Sequence, residues 1–382
     1  MGGRVKYATP GTLERNVCSG MTQFIGCDTH RKYSVFRIQD ESGPMSPAIR
    51  VEHEKGELER FLQSLEPGSP VALEAGLNWM WMVEQIERAN LEPHLTNPLE
   101  AKKRIGGVNK LDGKDAAGLL TLLRSGTLPE VWIPRGNQRD LRGLMRSRLV
   151  IRRHVSAFKC RIHGVLTQYG LKPLAEEEEE IEYRDWFTVK AREALLKVID
   201  ELPSATREGL RQEYLAMWEL ERHVKSQELA IQARVGSLGW LHLLRSAPGI
   251  GLILGATIWT EIGDVKRFVD AERLAAYAGL IPRTHSSGGK TWRGPTSRAS
   301  NHYLKWAFVE AANVIAGKRK TMEKKHPHVV HLYERVKANT KINGKAKVAV
   351  ARHLAEACWW ILTKKQNYRE PTSAAVASST NG

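Results

Sequence analysis

"GCDTH", residues Gly26–His30, directly follows the apolar pair Phe24-Ile25, and its reading decides the fold. The stretch reads as a buried opening strand that carries a carboxylate, Asp28, at its heart. A charge in such a place is costly unless something pairs with it, and a metal ion is one such partner. The question is whether other carboxylates further along the chain converge on the same point.

Around this stretch, residues 22–135 alternate strand-like and helical runs. "TQFIGC", "KYSVFRI", "PVALEAG" and "PHLTN" read as strands, and "GELERFLQSL" and "WMWMVEQIERAN" as helices, which makes an α/β domain. Within it stand three further acids. Glu74 lies in "ALEAG" at the end of an apolar strand, where a side chain can face a catalytic rim. Asp112 and Asp115 lie in "KLDGKDAAGLL", three residues apart at the start of a helical pattern, a spacing that sets both on one helix face. Asp-Glu-Asp-Asp in this order is the pattern of an RNase-H-like nuclease core. Four such carboxylates would hold two metal ions ~4 Å apart, and hard oxygen ligands suit Mg²⁺ or Mn²⁺. Each acid alone has a plainer reading: Asp28 as a turn cap, Glu74 as a salt-bridge partner, Asp112 as the N-cap of the helix containing Asp115.

From Asn137 the pattern changes. Leu144, Ile151, Val155, Phe158, Ile162 and Val165 recur on three- and four-residue steps, with Arg142, Arg146, Arg148, Arg152 and Arg153 on the other faces. After the acidic break "AEEEEEIEYRDW", a second long helix carries Leu210, Met217, Val224 and Ile231 at seven-residue spacing. Together they make a helical arm, either an internal hairpin or a dimerisation surface. Next, "SAPGIG" places Pro248-Gly249-Ile250-Gly251 between two helical runs. That is the form of a helix-hairpin-helix, whose tight turn points backbone N–H groups of Gly249 and Gly251 at a phosphate; it is also the form of an ordinary helix connection.

Composition narrows the partner. The 382 residues hold 58 Lys+Arg against 42 Asp+Glu, a formal +16. From Trp240 to Lys365 there are 22 basic and 8 acidic residues, so 22 − 8 = 14 of that excess sits in the C-terminal third. A polyanionic partner, nucleic acid before membrane surface, follows. The four cysteines, Cys18, Cys27, Cys160 and Cys358, are far apart and make neither a zinc ribbon nor a disulfide framework, which fits a reducing cytoplasm. The longest uncharged run here, Ser246–Thr260, is 15 residues, short of the ~20 that span a bilayer. The first twenty residues lack the apolar centre of a signal peptide and read as a loose extension, with Met21 as a natural beginning; the end, "PTSAAVASSTNG", reads as disordered.

With these marks assembled, the chain resembles the DEDD transposases of the insertion-sequence family whose enzymes are guided by a bridge RNA, relatives of the Piv-type DNA invertases. The likeness runs from about residue 22 to about 362. It rests on "GCDTH", "ALEAG" and "DGKDAAGL", then on "SAPGIG", "FVDAERLAAYAGLIPRTHSSGGKTWRGPTSRASNHYLKWAFVEAA" and "KAKVAVARHLAEACWWIL". One departure is local: the family usually has Ser or Thr and then Gly after "EA", whereas Gly76 here follows Ala75 directly.

The resemblance implies an extension (1–20), a RuvC-like DEDD domain (21–135), a coiled-coil arm (136–238), a mainly α serine transposase domain with a helix-hairpin-helix-like element (239–365) and a disordered tail (366–382). It implies a serine nucleophile that maps onto Ser287, with Ser286 beside it as the competitor; the spacing from Pro282 and the following Gly288 favour Ser287. A hydroxyl needs activation to attack, and Arg283, Lys290, Arg293 and Arg298 flank it to bind a phosphate and stabilise developing charge, with Arg298 and Lys305 also suited to plain backbone contacts. His285, a lone histidine in a polar loop, is left out of the catalytic set. The implied partners are DNA (element ends and target), a noncoding bridge RNA and further copies of the chain, a dimer and a tetramer in the active complex, in a bacterial or archaeal cytoplasm at the nucleoid, with no membrane. From a different class, a metal-only, junction-resolvase-like nuclease would use the four acids with Ser287 a loop residue, and would need only the first ~150 residues.

Overall fold

The computed structural model describes residues 23–106, 112–172, 185–189, 191–287, 290–296 and 300–371, and leaves the side chains of 112, 283–293 and 295–296 undescribed. The expected extension, most of the acidic break and the last eleven residues of the expected tail lie outside the described residues. The chain forms two compact units, one ending at Ile133 and the other beginning at Pro134.

The first unit is an α/β sandwich. Strands β1 (Gln23–Thr29), β2 (Tyr33–Asp40) and β3 (Ile49–Glu52) run antiparallel as a meander. After α1 (Glu57–Gln63), strand β4 (Pro70–Glu74) returns parallel to β1, and the crossover α2 (Trp79–Arg88) leads to β5 (Glu92–Thr96), parallel to β4. The sheet order is therefore β3-β2-β1-β4-β5. Parallel neighbours need such helical crossovers, and these cover the sheet faces. On one face Ile25, Cys27, Phe36, Val71 and Leu73 pack with Phe61, Leu62, Met82 and Ile86 of α1 and α2. On the other, Phe24 and Ala72 meet α3 (Pro98–Ile105) and α4 (Asp112–Arg124) through Ala101, Leu119 and Leu123. The expected strands and helices stand; β3 and α3 are additional to the sequence reading. Helix α3 starts where Asn97 accepts hydrogen bonds from the N–H groups of Leu99 and Glu100, with Pro98 in the first turn.

The second unit is mainly helical. Helices α5 (Gly136–Gln168) and α7 (Ser204–Val235), with α6 (Arg192–Asp200) between them in sequence, lie against each other. Val155, Ile162 and Leu166 of α5 are buried against Leu210, Tyr214 and Met217 of α7, so within one chain the arm is an internal hairpin. The seam differs from the expected one: Leu141, Arg148, Val155 and Ile162 are buried at seven-residue steps, while Leu144, Ile151, Phe158 and Val165 are half-buried. Helices α8 (Gly239–Arg245), α9 (Leu252–Ile262) and α10 (Ala271–Tyr277) lead to a two-stranded ribbon, β6 (Pro282–Ser287) and β7 (Lys290–Thr296). Then α11 (His302–Gly317), α12 (Arg319–Lys325), α13 (Pro327–Thr340) and α14 (Asn343–Lys364) close the unit. Its core is a stripe of small and branched residues, among them Ala307, Ala311 and Ile315 on α11 facing Val350, Leu354 and Cys358 on α14. Among the described residues no helix is long and apolar enough to cross a membrane.

Candidate active site

In the first unit, backbone geometry draws the acids together. Strands β1 and β4 pair in parallel up to Cys27↔Leu73, one residue before Asp28 and Glu74. Both acids thus stand at the C-terminal ends of neighbouring parallel strands. Side chains alternate along a strand, so Asp28 shares a face with Phe24 and Gly26, and Glu74 with Ala72. That is the face covered by α4. The approach is close: a Cβ on Gly26 would lie 2.0 Å from the Ala116 carbonyl oxygen and 2.8 Å from Leu120 N. Asp115 immediately precedes Ala116 on this helix and is half-buried; Asp112 begins the helix, its side chain outside the described residues. The start of α4 is fastened to the sheet by Arg37, which donates from Nε to the Gly113 carbonyl at 3.2 Å.

The immediate surroundings set the chemistry. His30 Nε2 lies 3.2 Å from Asp28 Oδ2, and its ring stacks on Tyr33 at 4.5 Å. Cys27 points to the opposite face, where burial, reinforced by the Asp28 charge, pushes its thiol up and keeps it protonated. Carboxylate oxygens are hard donors, and a metal held by these acids would be of the Mg²⁺ or Mn²⁺ kind rather than zinc. Among the described residues no three His, Cys, Asp or Glu side chains yet come together as a metal cage.

In the second unit, Ser287 is the last residue of β6 and pairs with Lys290, the first of β7; Thr284 pairs with Arg293. Arg283 follows Pro282 in β6, and Arg298 lies outside the described residues. The sequence reading took this segment as a loop, and the structure makes it a hairpin. The base of the hairpin is tightly built. Gly279 has φ +67°, and a Cβ there would lie 2.5 Å from Ser300 Oγ. Asn301 N donates to the Tyr277 carbonyl at 2.8 Å, closing the segment. Lys305 stands on the first turn of α11 beside Gly279, half-buried.

Asn301 also leads to a group that sequence reading missed. Its Nδ2 donates to Glu261 Oε2 at 2.8 Å and to the Tyr277 hydroxyl at 3.2 Å. Glu261 is 1% exposed. It accepts from Arg142 Nη2 at 2.8 Å and from Arg146 at 2.7 and 2.9 Å, both on α5. Burial alone would raise its carboxyl, but hydrogen bonds from Arg146 and Arg142, with their charges, hold it below its ordinary value. The signal was present: Glu261 is the one acid in an otherwise uncharged apolar helix. Two further arginines of α5 pair with acids of α7, Arg148 with Glu228 and Arg152 with Glu221. At the helix-hairpin-helix-like turn, Gly249 (φ +76°) is packed so that a Cβ would lie 2.4 Å from the Ala311 carbonyl oxygen. Gly251 is exposed at the N-cap of α9, open around its Cα.

Two family profiles match the chain, a DEDD-type Transposase of the IS110 kind over residues 25–171 and the Transposase IS116/IS110/IS902 family over residues 241–327. The chain is an IS110/IS116/IS902-family transposase. The first match spans the sheet, α4 and the outgoing arm helix; the second begins in α8 and contains the hairpin. Relatives agree along most of the chain. A probable family 20 transposase of Pseudomonas aeruginosa is 23% identical, over 90% of this chain and 98% of that protein. The transposase for insertion sequence element IS1111A of Coxiella burnetii is 26% identical over 68% and 69%. That for IS1328 of Yersinia enterocolitica is 24% identical over 76% and 83%. The transposase is thus an enzyme acting on DNA, with a mixed α/β first unit and a mainly helical second one.

Proposed function

We propose that this transposase cuts and rejoins DNA with two sets of groups: the carboxylates Asp28, Glu74, Asp112 and Asp115, and the hydroxyl of Ser287. The reading rests above all on one arrangement, Asp28 and Glu74 finishing neighbouring parallel strands on the face covered by the helix that carries Asp112 and Asp115. The strand order, a three-strand meander followed by two parallel strands, supports naming this unit RuvC-like. Mg²⁺ or Mn²⁺ held by these oxygens supplies charge neutralisation at a phosphate and lowers the cost of forming an attacking oxygen anion.

Ser287 attacks a phosphodiester phosphorus through Oγ, the strand oxygen leaves with a proton, and a serine–phosphate ester remains. That ester conserves the bond energy, so a second strand can displace the serine without ATP. Arg283, Lys290, Arg293 and Arg298 hold the phosphate and offset developing charge, while Lys305 and the turn at Gly249 and Gly251 contact the DNA backbone. Sequence choice falls to a noncoding bridge RNA pairing with element ends and target. Several copies of the chain assemble for the exchange, a dimer and then a tetramer, in the cytoplasm at the nucleoid.

The test is a covalent one. Wild-type protein trapped on nicked DNA runs as a shifted band on a denaturing gel; Ser287→Ala eliminates the band and Ser286→Ala only weakens it. A second reading, a metal-only nuclease, is favoured by one observation: all four acids lie in the first unit alone. It requires that no adduct form even with Mg²⁺ present.

A further inference from the structure

Directly after Glu74, the chain turns into α2 with three large apolar side chains facing outward. Leu77 is 108% exposed relative to its reference state, Met80 45% and Trp81 38%. The opposite face of α2 is locked into the core by Met82, Val83 and Ile86, so this outward face is rigidly presented. Isolated surface apolar residues need no explanation, but three within five residues form a patch that calls for an occupant.

The patch is joined to the carboxylate edge through side-chain and ring contacts. Asn78, between Leu77 and Trp79, donates from Nδ2 to the His30 carbonyl at 3.0 Å, and His30 touches Asp28. Trp81 packs on the His53 ring at 4.8 Å, and His53 N donates to the Lys32 carbonyl at 2.8 Å. Burial lowers the His53 pKa, which favours the neutral ring beneath Trp81. Of the charged residues near these in sequence, Arg31, Lys32 and Lys55 are exposed, as is Glu54, while Glu52 and Glu84 are half-buried. An aromatic face fringed by cations is the composition that receives unpaired nucleotides: the ring stacks on a base and the cations track the backbone.

We propose that Trp81, with Leu77 and Met80 beside it, is the stacking platform for an unpaired nucleobase of the DNA strand being cut. The proposal rests on reading Asp28 and Glu74 as part of the phosphate-cutting centre. Cutting and exchanging strands unpairs bases next to the scissile phosphate, and an exposed base left in water costs its stacking energy. A platform a few residues from Glu74 holds that base and, through it, the strand. Stacking is indifferent to base identity, so the platform serves whatever sequence is selected elsewhere. Exposed cations outnumber the exposed acid here three to one, which favours a polyanionic strand as the occupant.

The experiment uses the full chain and two probes, a single-stranded oligonucleotide carrying one 2-aminopurine and the blunt duplex of the same sequence. Trp81→Ala weakens single-strand binding by about tenfold, the size of one lost base stack, leaves duplex binding within about twofold, and abolishes the stacking quench of 2-aminopurine. Trp81→Phe, which keeps a ring, retains most of the affinity. An unchanged melting temperature shows that the fold is intact. Equal loss on both probes, no loss on either, or a drop in assembly mass by light scattering overturns the proposal, the last by revealing a protein contact. Asp28→Asn separates the two readings. If it leaves recombination intact while Trp81→Ala still costs tenfold on the single strand, the reading of the carboxylates fails and the platform stands.

Discussion

Gly26 and Ala116 meet backbone to backbone: a Cβ on the glycine would stand 2.0 Å from the alanine's carbonyl oxygen. The nearest atoms of α4 are the Ala116 carbonyl oxygen and the Leu120 N and Cβ, at 2.0, 2.8 and 2.9 Å from that position. The positions of Asp28, two residues along the strand, and Asp115, one residue before Ala116, are therefore fixed by main-chain contact. Gly26→Ala has to push α4 off the sheet. Overpacking of this kind costs on the order of 1–3 kcal/mol, and the same displacement spreads the acids. The expected outcome is a lower melting temperature together with a loss of recombination larger than the stability change explains; unaltered recombination would count against α4 as a carrier of site residues.

Asp28→Asn and Asp115→Asn remove charge without removing shape. Each is expected to lower recombination by at least a hundredfold while leaving DNA binding and the melting temperature near wild type, because the lost term is charge stabilisation in the transition state. Recombination and a binding assay run on the same preparations check this. A mutant with full activity excludes its residue from the site.

Glu261→Gln tests the buried network of the second unit. Two arginines lose their counter-charge in a buried place, a change worth about 3–5 kcal/mol when one partner of such a pair is removed. Acid has the same effect on the wild type. The folded carboxyl sits below its ordinary value of 4.5, so its contribution is full above that value and is lost as pH falls through the lower, folded one. Thermal melts from pH 6 downward are expected to steepen below about 4.5 in the wild type and to be flatter in the variant.

His353 gives a separate and earlier acid response. It is half-buried beside His328, ring to ring at 4.8 Å, and within 3.2 Å of the Tyr368 hydroxyl. Burial, then the neighbouring His328, lowers its pKa from 6.5 to about 4. The native ring stays neutral while the unfolded one takes a proton, so stability is intact above pH 6.5 and declines as pH falls toward 4, by about 3 kcal/mol in all. His353→Gln is expected to remove most of that decline in melts recorded between pH 7 and 4.5.

Ile162→Ala opens a cavity in the arm seam and costs about 2–5 kcal/mol. Because Ile162 packs on its own chain's α7, the drop in melting temperature is expected to be the same at low and high protein concentration. A loss that fades with concentration would mean that the seam belongs to two chains.

The strands and helices with strong local patterns were legible in the sequence: β1, β2, β4 and β5 by apolar runs, α2, α5 and α7 by period. Others lacked that signal. Strand β3 is four residues long and follows a Pro-rich segment, and β6 and β7 are polar ribbons paired only with each other. Most of the arm's expected stripe packs inside it, but Arg148 also takes a buried position there, paired with Glu228; hydrophobic periodicity passes over a buried charge. Asp28, Glu74, Asp112 and Asp115 stand out by order and flanks, and the fold puts Asp28 and Glu74 at the ends of neighbouring parallel strands. Glu261 is conspicuous as the lone acid of an apolar helix, but its partners are 115–119 positions upstream and 40 downstream and only the fold brings them near.

The grip of Arg142 and Arg146 on Glu261 has a mechanical side. Helix α5 is one uninterrupted rod of 33 residues, about 50 Å long at 1.5 Å per residue. It is clamped near its beginning, leaving roughly 33 Å between Arg146 and its far end. The clamp shares Asn301 and Tyr277 with the base of the hairpin that carries Ser287. The arm is thus anchored beside the hairpin, and the long free length beyond the clamp gives any sideways load on its tip a large moment at that base.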